Sequence, residues 1–438
     1  MSDVKPETKT WQGERSRKIL RCSAEVQKYQ KEYVLSLKER IKEEPYIFGE
    51  GPGILYRSMG LHQIVQVYYG SLISAKQMSE YYFNRLNEEG YFRQLCRYCT
   101  AALGYLFDKK PEIAPWGGLP KPAAVVCGHM CDAITRVLEL CARQFDVPIF
   151  FMDSGHLPSK PPSAKWWEDS ETEPHHLARA VENLRELIQF LERTTGRRYR
   201  ESKLAEALYR GVEASYYWQK GLDLACTTVP APITIADVFS SVPMALWHKG
   251  TPQELECAKM FYNEIRDRVE KGMAACPNEK IRLMWRPDQP VWFSLGLYHN
   301  WEDKYGAIFI PSNYLEFQER PMFGGRNYGA INGDSLETLV RSGTNGLFIE
   351  KTFPTSAIDY WLYQAKRYKV DGVIWCQFES CRTLAGPSPF VCEALEKAGI
   401  PTLRFSADML DVREWDDAHV KSMITSFVEM LLARKHGL

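Results

Sequence analysis

Six of the twelve cysteines in this chain stand as three close pairs: Cys96 with Cys99, Cys127 with Cys131, and Cys376 with Cys381. Thiolates act as nucleophiles, redox groups and metal ligands, so this pairing is the first place to look for chemistry. Cys127 and Cys376 each end a β-branched run, Ala-Val-Val-Cys and Gly-Val-Ile-Trp-Cys, and their partners stand at or just before the next helical stretch. Ligands of open α/β sheets gather there, outside the carboxyl ends of the strands. Cys131 precedes Asp132 and a helical run, so its sulfur should meet the positive end of a helix dipole, which favours thiolate over thiol. Cys96 and Cys99 lead into Thr100-Ala-Ala-Leu-Gly-Tyr, a third helix start. A single cysteine at a strand end is ordinarily a core residue. Three pairs in equivalent places point to a metal instead. A zinc site on Cys96, Cys99, Cys127 and Cys131 is the alternative, but zinc knuckles sit on tight turns rather than on strand ends and helix starts. Soft thiolates with no histidine at metal spacing suit an iron–sulfur cluster.

The elements that must carry these cysteines alternate between strand and helix. Short apolar runs at Ile64 to Tyr69, Ala123 to Cys127 and Val147 to Met152, with a helix over Asp132 to Phe145, predict an α/β unit with parallel strands. A helical middle follows, over Glu173 to Thr194, Glu201 to Gln219 and Pro252 to Ala274. A second α/β series has strands at Ile281 to Trp285, Gly306 to Ile310, Gly372 to Cys376 and Thr402 to Phe405, and helices near Ser356 to Tyr368, Pro389 to Ala398 and Asp416 to Arg434. The fold class is therefore α/β, with two flavodoxin-like or Rossmann-like parallel-sheet domains, an N-terminal helix and a helical middle region. The boundaries fall at 1–43, 44–165, 166–278 and 279–438. The two α/β halves are candidates for distant structural cousins. Loops at Pro158 to Pro162 and Pro311 to Gly329 are expected to be mobile.

Composition bounds the possible partners. The 55 basic residues balance the 55 acidic ones and 45% of the chain is hydrophobic, so nothing recruits nucleic acid or anionic lipid. The first 20 residues lack the apolar core of a signal peptide and no run of about 18 apolar residues follows, which predicts a cytoplasmic protein without membrane spans. In such a compartment cysteines serve metals or redox chemistry more often than disulfides. No Gly-x-x-x-x-Gly-Lys-Ser/Thr element is present, Gly49-Glu-Gly-Pro-Gly53 does not match a dinucleotide fingerprint, and Gly324-Gly-Arg-Asn-Tyr-Gly329 follows no strand. Nucleotide hydrolysis is expected to belong to partners. His175 and His176, beside Pro174 at a helix start, read as surface residues, and Trp116 and Trp166-Trp167 as loop aromatics.

From about Glu44 onward the chain resembles the benzoyl-CoA reductase and 2-hydroxyacyl-CoA dehydratase family. The likeness rests on Cys96, eight residues before Gly104 of a Leu-Gly pair; on Cys131-Asp132 after a strand; and on Asp371-Gly-Val-Ile followed by Cys381. Val147-Pro-Ile-Phe-Phe-Met-Asp153 and Leu191-Glu-Arg-Thr-Thr-Gly196 are also family-like. The resemblance implies cluster ligands at Cys96, Cys131 and Cys381. It implies a 4Fe–4S cluster near an acyl-CoA thioester, a homologous sister subunit, and electrons from a separate ATP-hydrolysing activator fed by ferredoxin. Cys99, Cys127 and Cys376 add one thiol beside each expected ligand. Six thiolates would suit a double cubane (8Fe–9S), and one cubane ringed by packing thiols is the alternative.

The expected function is then the iron–sulfur subunit of a ferredoxin-driven, ATP-dependent reductase of an aromatic acyl-CoA, taking benzoyl-CoA to a cyclohexadiene-carbonyl-CoA in anaerobic aromatic degradation. A radical 2-hydroxyacyl-CoA dehydratase subunit is one alternative. A double-cubane reductase of small molecules, or a non-catalytic metal-binding subunit, is another. His129, Asp132 and Glu379, which lie within or beside the cysteine pairs, are the candidate proton-transfer residues.

Overall fold

A computed structural model describes residues 20–91, 95–108, 110, 112–128, 131–152, 174–239, 241–286, 289–311, 334–343 and 354–437. His129, Trp166-Trp167, the loop at 158–162 and most of the loop at 311–329 lie outside the described residues.

Two four-stranded sheets organise the chain, and every strand pairing in them is parallel. The first contains β1 (Tyr46–Gly49), β2 (His62–Ile64), β3 (Ala124–Gly128) and β4 (Ile149–Met152), in the order β2-β1-β3-β4. The second contains β5 (Ile281–Arg286), β6 (Ala307–Phe309), β7 (Gly372–Phe378) and β8 (Thr402–Ala407), in the order β6-β5-β7-β8. The two orders are the same permutation, the flavodoxin-like one, so the expectation of two related α/β units holds at the level of topology. In each sheet the winding reverses between the first and third strands, and the third strand carries a cysteine pair at its carboxyl end.

β-branched and aromatic residues explain why these segments are strands. β5 is buried at all six positions and β7 at six of seven, as expected for strands covered on both faces. One face of the second sheet packs Trp285 against Tyr298, Phe309 and Phe405. The same apolar cluster continues through Val125 and Cys127 of the first sheet and Leu138 of the Asp132–Phe145 helix.

The Arg21–Arg40 helix, the one expected within the 1–43 segment, lies on the helical middle, where the buried Glu264 accepts from the backbone N–H groups of Arg21 and Cys22. The middle contains Pro174–Thr195, Glu201–Thr227 and Pro252–Glu270. The second of these runs two turns beyond its expected end at Gln219. Buried Arg282 of β5 donates to the carbonyls of Cys226 and Thr228 at that far end, capping it from the second sheet.

One expected strand is wrong. Ile64 to Tyr69 reads as β by propensity, yet β2 stops at Ile64 and Gln66–Ala75 is a helix. That helix packs on the Arg97–Asp108 helix, with a Cβ at Gly70 meeting the Tyr98 carbonyl at 3.0 Å. Tertiary packing overrides a β-leaning run. Gly104 is a still closer approach: a Cβ there would stand 2.7 Å from the Tyr82 carbonyl oxygen. The Leu-Gly pair thus lets the Arg97–Asp108 helix seat against Ser79–Glu88 and fixes where Cys96 and Cys99 fall. Among the described residues no helix is long and apolar enough to cross a membrane.

Candidate metal centre at the carboxyl ends of both sheets

Cys131 is the N-cap of the Asp132–Phe145 helix, and its sulfur accepts the Ile134 N–H at 3.5 Å. This places a helix N-terminus behind the thiol, as the sequence predicts. Cys381 holds the equivalent position after β7, before the short Arg382–Ala385 helix, but its side chain makes no capping bond. Cys96 precedes the Arg97–Asp108 helix, and its carbonyl accepts both the amide and the hydroxyl of Thr100. Cys99 therefore lies in the first turn of that helix.

The fold brings four of these thiols together in one hydrogen-bonded chain, Cys381–Cys96–Cys99–Cys131. Hydrogen bonds from Cys381 and then Cys99 hold the Cys96 thiol well below its ordinary range, against the effect of burial. Cys99, hydrogen-bonded to Cys131 and Cys96 and buried as well, is pushed well above it. Cys96 and Cys99 are buried while Cys131 and Cys381 are half-exposed, so the chain of sulfurs opens to solvent at its two ends.

Cys127 and Cys376 lie differently. Burial raises Cys127 to about 11, with the Thr135 hydroxyl opposing and the charges of Glu50 and Cys131 adding. It lies beside Cys131 but is held by the Gly128 carbonyl and Thr135. Cys376 shares the Trp285 face of the second sheet, within the field of Asp408, and burial raises it well above the ordinary thiol range.

Among the described residues no three or more His, Cys, Asp or Glu side chains surround a point as a single metal ion requires. The donor set itself is thiol only. Such a set fits an iron–sulfur cluster, whose thiolates attach to separate irons, better than a mononuclear ion of mixed ligation.

Of the candidate proton donors, His129 lies outside the described residues. Asp132 is exposed and forms an ion pair with Arg382, joining the residue after Cys131 to the residue after Cys381. Glu379 is exposed on the turn between Cys376 and Cys381, and its amide donates to the Ala407 carbonyl at 3.2 Å. Sequence reasoning missed Arg382 and Asp408. The rule that found the cysteines, a polar residue just past the carboxyl end of a strand, would have marked Asp408 after β8.

Known proteins share this arrangement of sequence. The family described as 2-hydroxyglutaryl-CoA dehydratase, D-component, matches residues 51–431. This chain belongs to that family. Among its relatives, the (R)-2-hydroxyisocaproyl-CoA dehydratase alpha subunit of Clostridioides difficile is 20% identical over 365 residues, 83% of this chain and 84% of that one. The (R)-phenyllactyl-CoA dehydratase alpha subunit of Clostridium sporogenes is 20% identical over 407 residues, 92% of this chain and 93% of the other. A subunit of the benzoyl-CoA reductase of Thauera aromatica is 22% identical over 363 residues, 80% of this chain and 79% of the other. The resemblance read from the cysteine motifs is therefore correct at the family level. Dehydratase and reductase subunits both stand among the relatives of this chain, which supports an enzymatic role as part of a larger assembly.

Proposed function

We propose that this chain is the iron–sulfur subunit of a cytoplasmic enzyme that delivers a low-potential electron to an acyl-CoA thioester. The observation that carries this is the meeting of Cys96, Cys99, Cys131 and Cys381 where the carboxyl ends of the two sheets face one another. Those four thiolates would hold the cluster. When bound, it would supply the single electron that a thioester-conjugated substrate accepts only at very negative potential. The half-exposed Cys131 and Cys381 mark the side from which substrate would approach. Asp132, paired with Arg382 at that mouth, and Glu379 on the neighbouring turn are the described side chains placed to exchange a proton with it. His129, two residues before Cys131 in the sequence, is the third candidate. Since the chain carries no recognisable phosphate-binding element, turnover is proposed to need a sister subunit and an ATP-hydrolysing activator charged by ferredoxin.

A four-thiol set argues for one 4Fe–4S cluster and so for a radical 2-hydroxyacyl-CoA dehydratase. The second reading, a double cubane in a reductase of an aromatic acyl-CoA such as benzoyl-CoA, draws its support from Cys127 beside Cys131. Iron and sulfide analysis of the anaerobically purified chain tests both: about four irons per chain fits the first reading and nearly eight the second. Product analysis with 2-hydroxyacyl-CoA and benzoyl-CoA, in the presence of sister subunit and activator, then separates the reactions. Full iron content in Cys96→Ala, Cys131→Ala and Cys381→Ala alike would overturn the assignment of these ligands.

A further inference from the structure

Three distant segments meet behind the Cys96–Cys381 contact. Asp408 follows β8 and is buried; its Oδ1 accepts the amides of Leu410 at 2.9 Å and Asp411 at 3.1 Å. Its Oδ2 accepts the hydroxyl of buried Ser380 at 2.5 Å. Ser380 in turn accepts the Arg97 amide at 3.2 Å, across 283 residues of sequence. The Ser380 hydroxyl has one proton, and Asp408 takes it, so a lone pair is left facing Arg97. That amide is one of the first four of its helix, which the intrahelical ladder does not use. Ser380 therefore caps the Cys96 helix from the other sheet. A second tie runs alongside, from the Arg97 guanidinium to buried Asp411 at 3.3 Å.

We infer that Asp408 is a positioning residue of the site: through Ser380 it sets the Cys381 turn against the start of the Cys96 helix and so fixes the spacing of these two thiols. The inference rests on the proposal that these cysteines are cluster ligands. Ser380 adjoins Cys381 and Arg97 adjoins Cys96, so each link acts on a ligand through a single peptide bond. Removing the hydroxyl leaves a buried amide and a buried carboxylate oxygen both unsatisfied, and the two cysteine turns lose their shared hydrogen bond. The carboxylate also brings a negative charge beside the thiols. With a cluster bound, that charge would disfavour the added electron and hold the potential low.

The test has two arms. In the iron-free full chain, bridging of Cys96 to Cys381 by dibromobimane, located by peptide mapping, reports their spacing without any metal. Ser380→Ala and Asp408→Ala are expected to slow it by about tenfold, the effect of losing one charge-assisted hydrogen bond, with Ser380→Thr restoring it. Unchanged rates in Ser380→Ala and Asp408→Ala would overturn the inference, as would slowing in Ser380→Ala alone. Where an alanine variant does not fold, Asp408→Asn, which keeps an acceptor for the Leu410 and Asp411 amides, takes its place with the same expected loss. In the iron-loaded chain, Asp408→Asn should hold its iron yet show a more positive cluster midpoint potential, a shift that a merely structural residue would not give; an unchanged potential counts against Asp408. Absence of iron from the wild type would end the cluster reading, while the iron-free arm would still decide the positioning role.

Discussion

The two sheets carry the same strand order and the same placement of cysteines, yet they use them differently. At the end of β3, Cys131 caps a helix of 14 residues, and its sulfur accepts a backbone N–H from it. At the end of β7, Cys381 stands before a helix of only four residues and makes no such bond. A thiol beside a full helix N-terminus is stabilised as thiolate by local structure. One beside a single turn lacks that support, and Cys381 instead gives a hydrogen bond to Cys96, brought in from the first half of the chain. Within the strands the cysteines also diverge: Cys127 lies beside Cys131, whereas Cys376 is absorbed into the aromatic face around Trp285 and Tyr298. Duplicated topology thus reproduces the position of a ligand but not its electrostatic support.

This contrast predicts unequal responses to equivalent mutations. The largest effect is expected for Cys131→Ala and Cys381→Ala, each losing most of the iron, while Cys376→Ala keeps it; anaerobic iron analysis decides. Iron loss from Cys376→Ala would put that thiol among the ligands and restore symmetry between the sheets. Next, Trp285→Ala in the second sheet should cost about 3–5 kcal/mol in denaturant unfolding, as a cavity among aromatic rings. Val126→Ala in the first should cost only about 2 kcal/mol, the value of two buried methylene equivalents. Equal losses would mean that the two cores are packed alike.

A reference outside both sheets comes from Glu254, buried at the start of the Pro252–Glu270 helix. Its Oε2 accepts the Gly250 amide at 2.5 Å, and burial raises its carboxyl to about 8. Folding there favours the protonated form. The folded state thus keeps a proton that the unfolded state sheds above its ordinary value of 4.5, so stability falls as pH rises from about 5 to 8. Glu254→Gln retains the acceptor and should flatten this decline, by on the order of 4 kcal/mol across that window, read as the pH dependence of apparent Tm. A slope identical to wild type would show that the carboxyl titrates normally. The smallest effect is expected at the mouth of the site. There Arg382→Ala breaks an exposed ion pair with Asp132, and its cost should stay below about 1 kcal/mol. A larger loss of stability would reveal the pair as a structural strap between the two sheets.

Much of the scaffold was legible because local physics wrote it. Val125-Val-Cys127 and Val373-Ile-Trp-Cys376 read as buried strands, and the periodicity of 173–194 and 252–274 reads as helix, since both signals depend on neighbours a few residues apart. Ile64 to Tyr69 misled for the same reason: its residues favour β, yet from Gln66 the segment is a helix seated closely at Gly70 on the Arg97–Asp108 helix. The cysteine pairs marked the right end of each sheet. Their spacing could not tell Cys99, which joins the thiol chain, from Cys376, which enters the core, because each lies within five residues of an expected ligand.

By itself, then, the sequence determined the α/β alternation, the family, and the carboxyl-end location of the thiols. Each follows from short-range pattern and residue chemistry. Only the tertiary structure decided which thiols meet, that Arg382 reaches Asp132, and that Asp408 reaches Cys96 and Cys381 through Ser380. Those outcomes hinge on contacts between residues far apart in sequence, 250 for Arg382 with Asp132 and 283 for Arg97 with Ser380. Such contacts exist once two sheets have docked end to end, and no local propensity encodes their partners.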